Sequence, residues 1–301
     1  AYVDLEMGKV GDSRTLSFTI NLPDEIPSAD YGLRYVMAVE GRDYDLVLNP
    51  VRMGTPGLPG APSESNCNKE TYILKPATID VRVLDVKFLP GMRYAYVQGI
   101  AETIQESLAH FGIDFYAICD EEMGFIDLQQ FDAIVIGSNA YLVREMLRKS
   151  AQRFLDYVEQ GGTLIVQYQG YPFAGKGFTP YSFKFNQPHD RTSIEEDPSP
   201  DVLQPDHVLA TTPNVITPES FMGWKQDVGL YFFGEWDERY ESVFSCHDPG
   251  EEPKHGCLML ARYGNGNYLY TGFTFFRQIP AGHPGAFSLF ANLLALPKSN
   301  A

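Results

Sequence analysis

The position at which an α/β enzyme would hold a catalytic nucleophile contains no suitable side chain in this sequence. A nucleophilic Cys or Ser stands on a sharp turn after a strand, flanked by small residues, and a later His and acidic residue activate it. The apolar run 163–167 is predicted to be the strand before that turn, and Tyr168, Gln169 and Gly170 follow it. Because neither Cys nor Ser is among them, we predict no catalytic residue there.

Two other nucleophilic side chains have structural explanations. Ser138 lies in the segment 137–140, Gly-Ser-Asn-Ala, which lacks the second glycine of a nucleophile turn. Ser favours the position that caps a helix, so Ser138 is predicted to cap the next one. Cys119 precedes the acidic run 120–122, whose carboxylates would raise the pKa of the thiol. That is the wrong direction for a nucleophile, so Cys119 is predicted to be a small core residue.

No metal or cofactor site is predicted. The six histidines are scattered, and no two of them have the spacing of zinc ligands. The segment 170–177 resembles a phosphate-binding loop, but Gly177 replaces the hydroxyl residue and Pro180 prevents the helix that should follow. The acidic loops 195–197 and 248–252 have no complete calcium-binding pattern, and whether they bind calcium stays open.

One stretch of the chain combines aromatic and acidic side chains. Its members are Trp224, Tyr231, Trp236 and Tyr240, with Glu235, Asp237 and Glu238 among them. Aromatic faces stack on the CH groups of sugars while carboxylates accept hydrogen bonds from the hydroxyls. Trp224 and Trp236 are therefore candidate sugar-binding residues. The alternative is that the aromatic residues pack in the core.

The composition excludes several classes of partner. Of the 301 residues, 44% are hydrophobic and 21% charged, which is typical of a globular protein. The formal net charge is −16, so neither nucleic acid nor an anionic membrane surface is an expected partner. No apolar run is long enough to span a bilayer, and residues 1–9 lack the features of a signal peptide. The chain begins with Ala, and whether it is a fragment of a longer protein stays open.

Residues 1–78 are predicted to form a β-sandwich-like segment with a Pro- and Gly-rich linker. Apolar and polar residues alternate over 16–20 and again over 33–37, which is the period of a half-buried strand. Pro and Gly are frequent within 49–70, so this stretch is predicted to be a loop.

Residues 79–301 are predicted to form an α/β domain. Helices and continuous apolar strands alternate from residue 93 onward, which argues for a parallel, flavodoxin-like sheet with helices on both faces. The predicted strands span 94–98, 115–119, 133–136 and 163–167, and the predicted helices span 101–111, 142–160 and 284–294. A hairpin is predicted over 257–273 because of its Gly-Asn-Gly-Asn turn.

Several segments of this second region resemble a known family when they are taken together. They are residues 131–137, 155–168, 262–272, 276–282 and 289–293. These segments resemble the C-terminal accessory region of bacterial PIG-L (LmbE-like) family deacetylases. The resemblance implies a class I glutamine amidotransferase-like (ThuA-like) domain. It also implies that the catalytic deacetylase domain lies N-terminal to this region. The His-Pro-Asp-Asp segment of its zinc site is absent here, and Asn139 replaces the Arg of similar sequences.

Any ligand site is expected at the carboxyl ends of the parallel strands, where the loops diverge. The groups predicted to line it are Gln98, Gly99, Ser138, Asn139, Gln167 and Tyr168. They are neutral hydrogen-bonding groups, which suit a sugar or a peptide better than a phosphate. Arg277 is the cation placed nearby, unless it pairs with a core carboxylate. The alternative is that Tyr141 and Tyr168 fill the crevice and leave no ligand site.

A disulfide is predicted between Cys246 and Cys257. The two residues flank the loop 247–256, whose prolines and glycine suit a chain reversal. A disulfide would indicate an extracytoplasmic location, periplasmic or secreted. The alternative is two small buried thiols, since Cys is often buried.

These observations favour a non-catalytic binding or interaction module over an enzyme. We expect it to be accessory to a carbohydrate-directed deacetylase, with a glycan or a protein as its partner. One alternative is a hydrolase or amidotransferase relative whose active site the sequence does not reveal. Another is a structural subunit that self-assembles into a homo-oligomer through its β segment. Neither the ligand nor the oligomeric state follows from the sequence.

Overall fold

The computed structural model describes residues 23, 26–39, 42–52, 70–100, 103–193 and 200–297. The chain divides into two compact units, residues 1–84 and 85–301. The domain boundary predicted at residue 78 falls a few residues before this division. The strand predicted over 16–20 lies outside the described residues, as do most of the predicted linker and the acidic loop 195–197.

The described part of the first unit consists of short antiparallel strand pairs. The strands are β1 (Asp30–Arg34), β2 (Met37–Val39), β3 (Arg42–Tyr44), β4 (Leu46–Arg52), β5 (Glu70–Pro76) and β6 (Thr78–Arg82). Strand β1 pairs with β6, β2 with β3, and β4 with β5. Asp30 and Arg82 sit opposite one another in the first pair and form an ion pair.

The second unit contains the remaining strands and helices. Its first half comprises β7 (Tyr94–Val97), α1 (Ile104–Ala109), β8 (Phe115–Ala117), β9 (Ala133–Ile136), α2 (Ala140–Val143), α3 (Glu145–Lys149), α4 (Ala151–Glu159) and β10 (Thr163–Gln167). Its second half comprises β11 (Phe183–Phe185), β12 (Arg191–Ser193), β13 (Asp201–Val202), α5 (Val208–Thr211), β14 (Asp227–Leu230), β15 (Phe233–Trp236), β16 (Tyr240–Ser242), β17 (Phe244–Ser245), β18 (Leu258–Tyr263), β19 (Gly266–Thr271), α6 (Phe275–Gln278) and α7 (Pro284–Ala295).

A seven-stranded, mostly parallel sheet organises this unit, in the order β16-β18-β19-β10-β9-β7-β8. Strands β8, β7, β9, β10 and β19 are parallel, and β18 and β16 continue the sheet antiparallel. All residues of β7, β9 and β10 are buried, which explains why apolar residues predominate in these strands. The strand order reverses between β7 and β9. The predicted α/β class with a mostly parallel sheet is confirmed.

The helix predicted over 142–160 is wrong as a single element, because α2, α3 and α4 divide it. Arg144 has an extended backbone, with φ −103° and ψ 108°, and separates the first two helices. Its side chain instead donates to the carbonyl of Gln98 at 2.6 Å and to Asp120 at 2.7 Å. These tertiary contacts override a helical pattern that local sequence favours. The hairpin of β18 and β19 and the final helix α7 are confirmed.

Three short antiparallel strand pairs lie between residues 183 and 245, a region in which the sequence predicts no strands. Strand β11 pairs with β15, β12 with β14, and β13 with β17. The two members of each pair are tens of residues apart in the chain. This long-range pairing explains why the local pattern failed to predict these strands.

A buried hydrogen-bond network joins the entry of the second unit to its last helix. The Asn214 side chain accepts from the Lys87 backbone and donates back to its carbonyl, both at 2.9 Å. Asn292, on α7, accepts from the backbone of Asn214 at 2.9 Å and donates to its carbonyl at 2.7 Å. Asn292 is fully buried, so these bonds satisfy groups that would otherwise be costly.

Candidate functional site

Asn139 and Tyr168 meet at the carboxyl ends of β9 and β10. The Asn139 amide donates to the Tyr168 hydroxyl at 2.7 Å, and its backbone N–H donates to the Tyr168 carbonyl at 2.9 Å. Its side-chain oxygen accepts from the backbone of Gly170 at 2.9 Å. Asn139 has a φ of 53°, a left-handed conformation that Asn tolerates better than most residues. Asn139 therefore connects the loop after β9 to the loop after β10 through hydrogen bonds.

Aromatic rings fill the space beside Tyr168, directly after β10. Tyr168 stacks with Tyr231 at a centroid distance of 5.8 Å and with Phe276 at 5.5 Å. Tyr231 stacks in turn on His189 at 3.9 Å. Burial lowers the pKa of His189, so the neutral imidazole is favoured in this stack. Tyr141 is buried and stacks on Phe178 at 4.6 Å. Packing thus occupies the position after β10.

Backbone atoms fill the space at the carboxyl ends of β7 and β9, where the strand order reverses. A side chain on Gly99 would place its Cβ 2.2 Å from the carbonyl oxygen of Ser138. The backbone of Ile100 donates to that same carbonyl at 2.9 Å. Gly99 and Ser138 therefore lie in direct backbone contact, and Ser138 is buried. The prediction that Ser138 caps the next helix is wrong, because Asn139 is the residue at the cap position of α2 and no side-chain cap hydrogen bond is formed there.

Gln167 points into the core rather than toward a ligand. It is fully buried, and its amide donates to the Tyr96 hydroxyl at 2.6 Å. Its side-chain oxygen has no hydrogen-bond partner within the described residues. An unsatisfied buried acceptor of this kind costs about 1–3 kcal/mol.

A cavity of about 270 Å³ does lie beside Gln98, toward β8. Its walls include Gln98, Gln105, Cys119, Asp120 and Arg144. Gln105 donates to the Gln98 side chain at 2.6 Å, and the Arg144–Asp120 ion pair closes one side. Neither Asn139 nor Gln167 lines this cavity. Of the six groups predicted at the carboxyl ends, Gln98 is the one that contributes to it.

Arg277 forms an ion pair with a carboxylate. This was the alternative to its predicted place in the ligand site. Its guanidinium donates to Asp227 at 2.8 Å, and Arg191 approaches the same carboxylate at 3.9 Å. The Arg277 guanidinium also lies over the Phe276 ring, 5.1 Å from its centroid. Arg277 therefore joins β14 to α6.

The two predicted sugar-binding tryptophans have different environments. Trp224 has no exposed surface, and its indole N–H donates to the Ser220 carbonyl at 3.1 Å. It packs on Phe221, Phe273 and Phe275, so Trp224 is a core residue. Trp236, in contrast, is half-buried and lines a cavity of about 420 Å³. We call this space the Trp236 cavity.

The walls of the Trp236 cavity come from three separate parts of the chain. Its lining residues are Asn186, Asp190, Phe233, Gly234, Trp236, Glu251, Glu252, Pro253, Lys254 and His255. The first two follow β11, the next three belong to β15, and the rest form the loop before β18. Trp236 could be identified in the sequence from its acidic neighbours, but Asn186 and Asp190 were missed, because the sequence offers no pattern for them.

Close backbone contacts and hydrogen bonds hold this cavity in shape. The Asn186 amide donates to Asp190 at 2.8 Å, and Lys254 pairs with Glu251. Gly234 allows Asn186 to lie against the strand, since a Cβ there would be 2.2 Å from the Asn186 side-chain oxygen. The hydrogen bond from Lys254 lowers the pKa of Glu251, which keeps this carboxylate ionised.

The structure does not contain the predicted disulfide. Cys246 and Cys257 are both free and fully buried. The Cys257 thiol donates to the carbonyl of Phe244 at 3.2 Å, and burial raises the pKa of Cys246. This is the alternative of two small buried thiols.

Cys119 is exposed, so the prediction that it is a small core residue is wrong. Its surroundings also disfavour it as a nucleophile. A backbone hydrogen bond with Glu122 favours its thiolate, but desolvation and the side-chain hydrogen bonds with Glu122 and Glu121 together raise its pKa. Its thiol lies 3.4 Å from the Glu122 carboxylate.

Within the described ranges, no group of three or more His, Cys, Asp or Glu side chains is arranged to hold a metal ion. No helix among the residues that the structure describes is long and apolar enough to cross a bilayer.

The topology defines an α/β fold with a mostly parallel sheet, and aromatic side chains occupy the position after β10. No family model matches the sequence, and no curated protein matches it. Solved structures match at low identity. A ThuA-like protein from Parabacteroides merdae is 12% identical, with a TM-score of 0.42 over 69% of this chain and 90% of that chain. A cytoplasmic protein from Salmonella typhimurium is 14% identical, with a TM-score of 0.44 over 89% of this chain and 96% of that chain.

The prediction of an extracytoplasmic location is contradicted. It depended on a disulfide, and the two thiols are free. Two of the matched structures, both from Salmonella typhimurium, are of proteins named as cytoplasmic.

Proposed function

We propose that this chain is a non-catalytic carbohydrate-binding module and that the Trp236 cavity is its binding site. The observation that carries the proposal is the half-buried indole of Trp236 in a cavity whose other walls include carboxylates and an amide. An indole face beside hydrogen-bond acceptors is the combination that sugars require, because a sugar ring presents CH groups on its faces and hydroxyls at its edge.

The size of the cavity fits this ligand class. Its volume of about 420 Å³ lies within the range of small-molecule sites, which is roughly 300–1,000 Å³. Acceptors for sugar hydroxyls are present on Asp190 and Glu252, and Asn186 offers an amide. The hydrogen bond between Asn186 and Asp190 orients both side chains before any ligand arrives, which reduces the entropic cost of binding.

The rival interpretation is a hydrolase, which needs a general acid. Among the described carboxyl groups whose pKa is shifted, none has a suitably raised pKa. Glycoside hydrolysis needs one carboxyl group with a raised pKa that can protonate the leaving oxygen. The pKa of Glu251 is lowered by its hydrogen bond with Lys254, the opposite of this requirement. At the nucleophile position of the fold, the side chain of Tyr168 is engaged in stacking and in a hydrogen bond with Asn139.

The context of the module is also part of the proposal. The segments 131–137, 155–168 and 262–272 resemble the accessory region of PIG-L family deacetylases. We therefore propose that the module serves a carbohydrate-directed deacetylase by holding a glycan near it. This association depends on the sequence resemblance alone.

Calorimetric titration with a panel of oligosaccharides tests the binding function. We expect binding by the wild-type chain and a loss of about tenfold or more in affinity for Trp236→Ala, since loss of a stacked aromatic ring costs on the order of 1.4 kcal/mol. Phe125→Ala is the matched control, because Phe125 is 77% exposed and does not line the cavity. Circular dichroism verifies folding of both variants. Absence of binding to every oligosaccharide, or equal affinity of wild type and Trp236→Ala, contradicts the proposal.

A further inference from the structure

Negative charge dominates the Trp236 cavity. Asp190, Glu251 and Glu252 line it, and its basic residues are one lysine, Lys254, and one histidine, His255. Lys254 pairs with Glu251, while no ion pair to Asp190 or Glu252 is formed within the described part of the chain. Arg191 lies close enough to lower the pKa of Glu251 further, but it faces the carboxylate of Asp227. Among the described residues, the cavity therefore retains two carboxylates that no basic side chain neutralises.

The aromatic wall acts in the same direction as these carboxylates. The face of an indole carries negative electrostatic potential and attracts cations, Trp being the strongest of the aromatic side chains in this respect. A half-buried site also weakens charge interactions with the solvent, so attraction and repulsion within it exceed those on the open surface. A cationic group between Trp236 and Glu252 would gain from both, and an anionic group would be repelled by both.

We propose that the Trp236 cavity selects amino sugars whose amine is free and protonated, over neutral, N-acylated or acidic sugars. This inference rests on the proposed function and names the ligand class of the same site. A protonated amine donates charge-assisted hydrogen bonds to Asp190 and Glu252, which are stronger than those of a neutral hydroxyl. The hydroxyls of the same sugar remain available to the Asn186 amide. Acylation removes the charge and adds bulk, and a uronic acid adds a negative charge.

Three oligosaccharides that share one backbone isolate this preference. β-1,4-linked oligomers of glucose, of N-acetylglucosamine and of glucosamine differ only at carbon 2, which carries a hydroxyl, an acetamide or an ammonium group. Titration of the full chain with each, at a mildly acidic pH that protonates the amine, measures the three affinities. We expect the glucosamine oligomer to bind about tenfold more tightly than the other two, as a charged hydrogen bond outweighs a neutral one by about that factor.

Two conservative variants test whether the cavity itself causes the preference. Asp190→Asn and Glu252→Gln remove a charge and keep the shape and a hydrogen-bonding group, and we expect each to reduce the preference several-fold. Glu106→Gln removes an equivalent charge from α1, away from the cavity, and should leave the preference unchanged. Thermal melts verify that the variants are folded.

The outcomes separate the two proposals. Equal binding of all three oligomers, lost in Trp236→Ala, overturns the selectivity and keeps the carbohydrate-binding function. A preference for glucosamine that Glu106→Gln weakens as much as Glu252→Gln assigns it to the net charge of −16 and overturns the site. No binding of any oligomer overturns the proposed function and the selectivity with it.

Discussion

Replacement of Tyr168 tests whether the position after β10 is a site or part of the packing. Two substitutions at this position distinguish the contribution of its hydroxyl from that of its ring. Tyr168→Phe keeps the ring and removes the hydroxyl that accepts from the Asn139 amide at 2.7 Å. Tyr168→Ala removes the ring as well, and with it the stacking on Tyr231 and Phe276.

The expected losses of stability follow from these contacts. A hydrogen bond contributes about 1 kcal/mol, so we expect Tyr168→Phe to lower the free energy of unfolding by about that amount. Each stacked ring pair contributes roughly another 1 kcal/mol, so Tyr168→Ala should cost about 3 kcal/mol. In a unit of this size, that corresponds to a decrease in melting temperature of roughly 6–12 °C. Because Tyr168 does not line the Trp236 cavity, glycan affinity should be the same in both variants.

Urea unfolding followed by fluorescence gives the stability, and calorimetric titration of the same samples gives the affinity. The two measurements separate packing from binding, because a packing role changes only the stability and a binding role changes only the affinity. If Tyr168→Ala unfolds at the wild-type urea concentration and no longer binds a glycan, the crevice after β10 is a ligand site and the packing role of Tyr168 is refuted.

Two further predictions concern the cysteines. Under denaturing conditions without reductant, Cys246 and Cys257 should both react with an alkylating agent, and mass spectrometry that finds either unlabelled and joined to the other would show a disulfide instead. In the folded protein, Cys119 should react with iodoacetamide more slowly than a free cysteine at neutral pH, because its raised pKa leaves less thiolate, and the rate should rise with pH through that higher pKa. Glu122→Gln should speed the reaction, and a rate equal to that of free cysteine in the wild type would contradict the assigned environment of the thiol.

The parts of the fold that could be predicted from the sequence are those whose burial is uniform. Strands β9 and β10 were predicted to the residue, since every one of their side chains is buried and the chain is apolar almost throughout. The break in the helix at Arg144 could not be predicted, because its cause is a pair of contacts with Gln98 and Asp120, which are distant in sequence.

The candidate site shows the same division. Its aromatic member, Trp236, was accessible to sequence reasoning through its acidic neighbours, but nothing in the sequence distinguished it from the buried Trp224. That difference depends on tertiary burial. Asn186 and Asp190 reach the cavity because β11 pairs with β15, and no local pattern encodes that pairing.

The asparagine network of the second unit has a consequence for how the chain could be reconnected. The Asn214 side chain is hydrogen-bonded to the backbone of Lys87, close to the start of the unit. Asn214 is also hydrogen-bonded to Asn292 on the last helix. The entry of the unit and its last helix therefore both contact one side chain. A module whose two ends meet in this way can be joined end to end, or placed within a loop of another protein, without stretching its fold. Permutation of the unit with new termini outside residues 186–255 would keep the Trp236 cavity intact, because its walls all lie within that range.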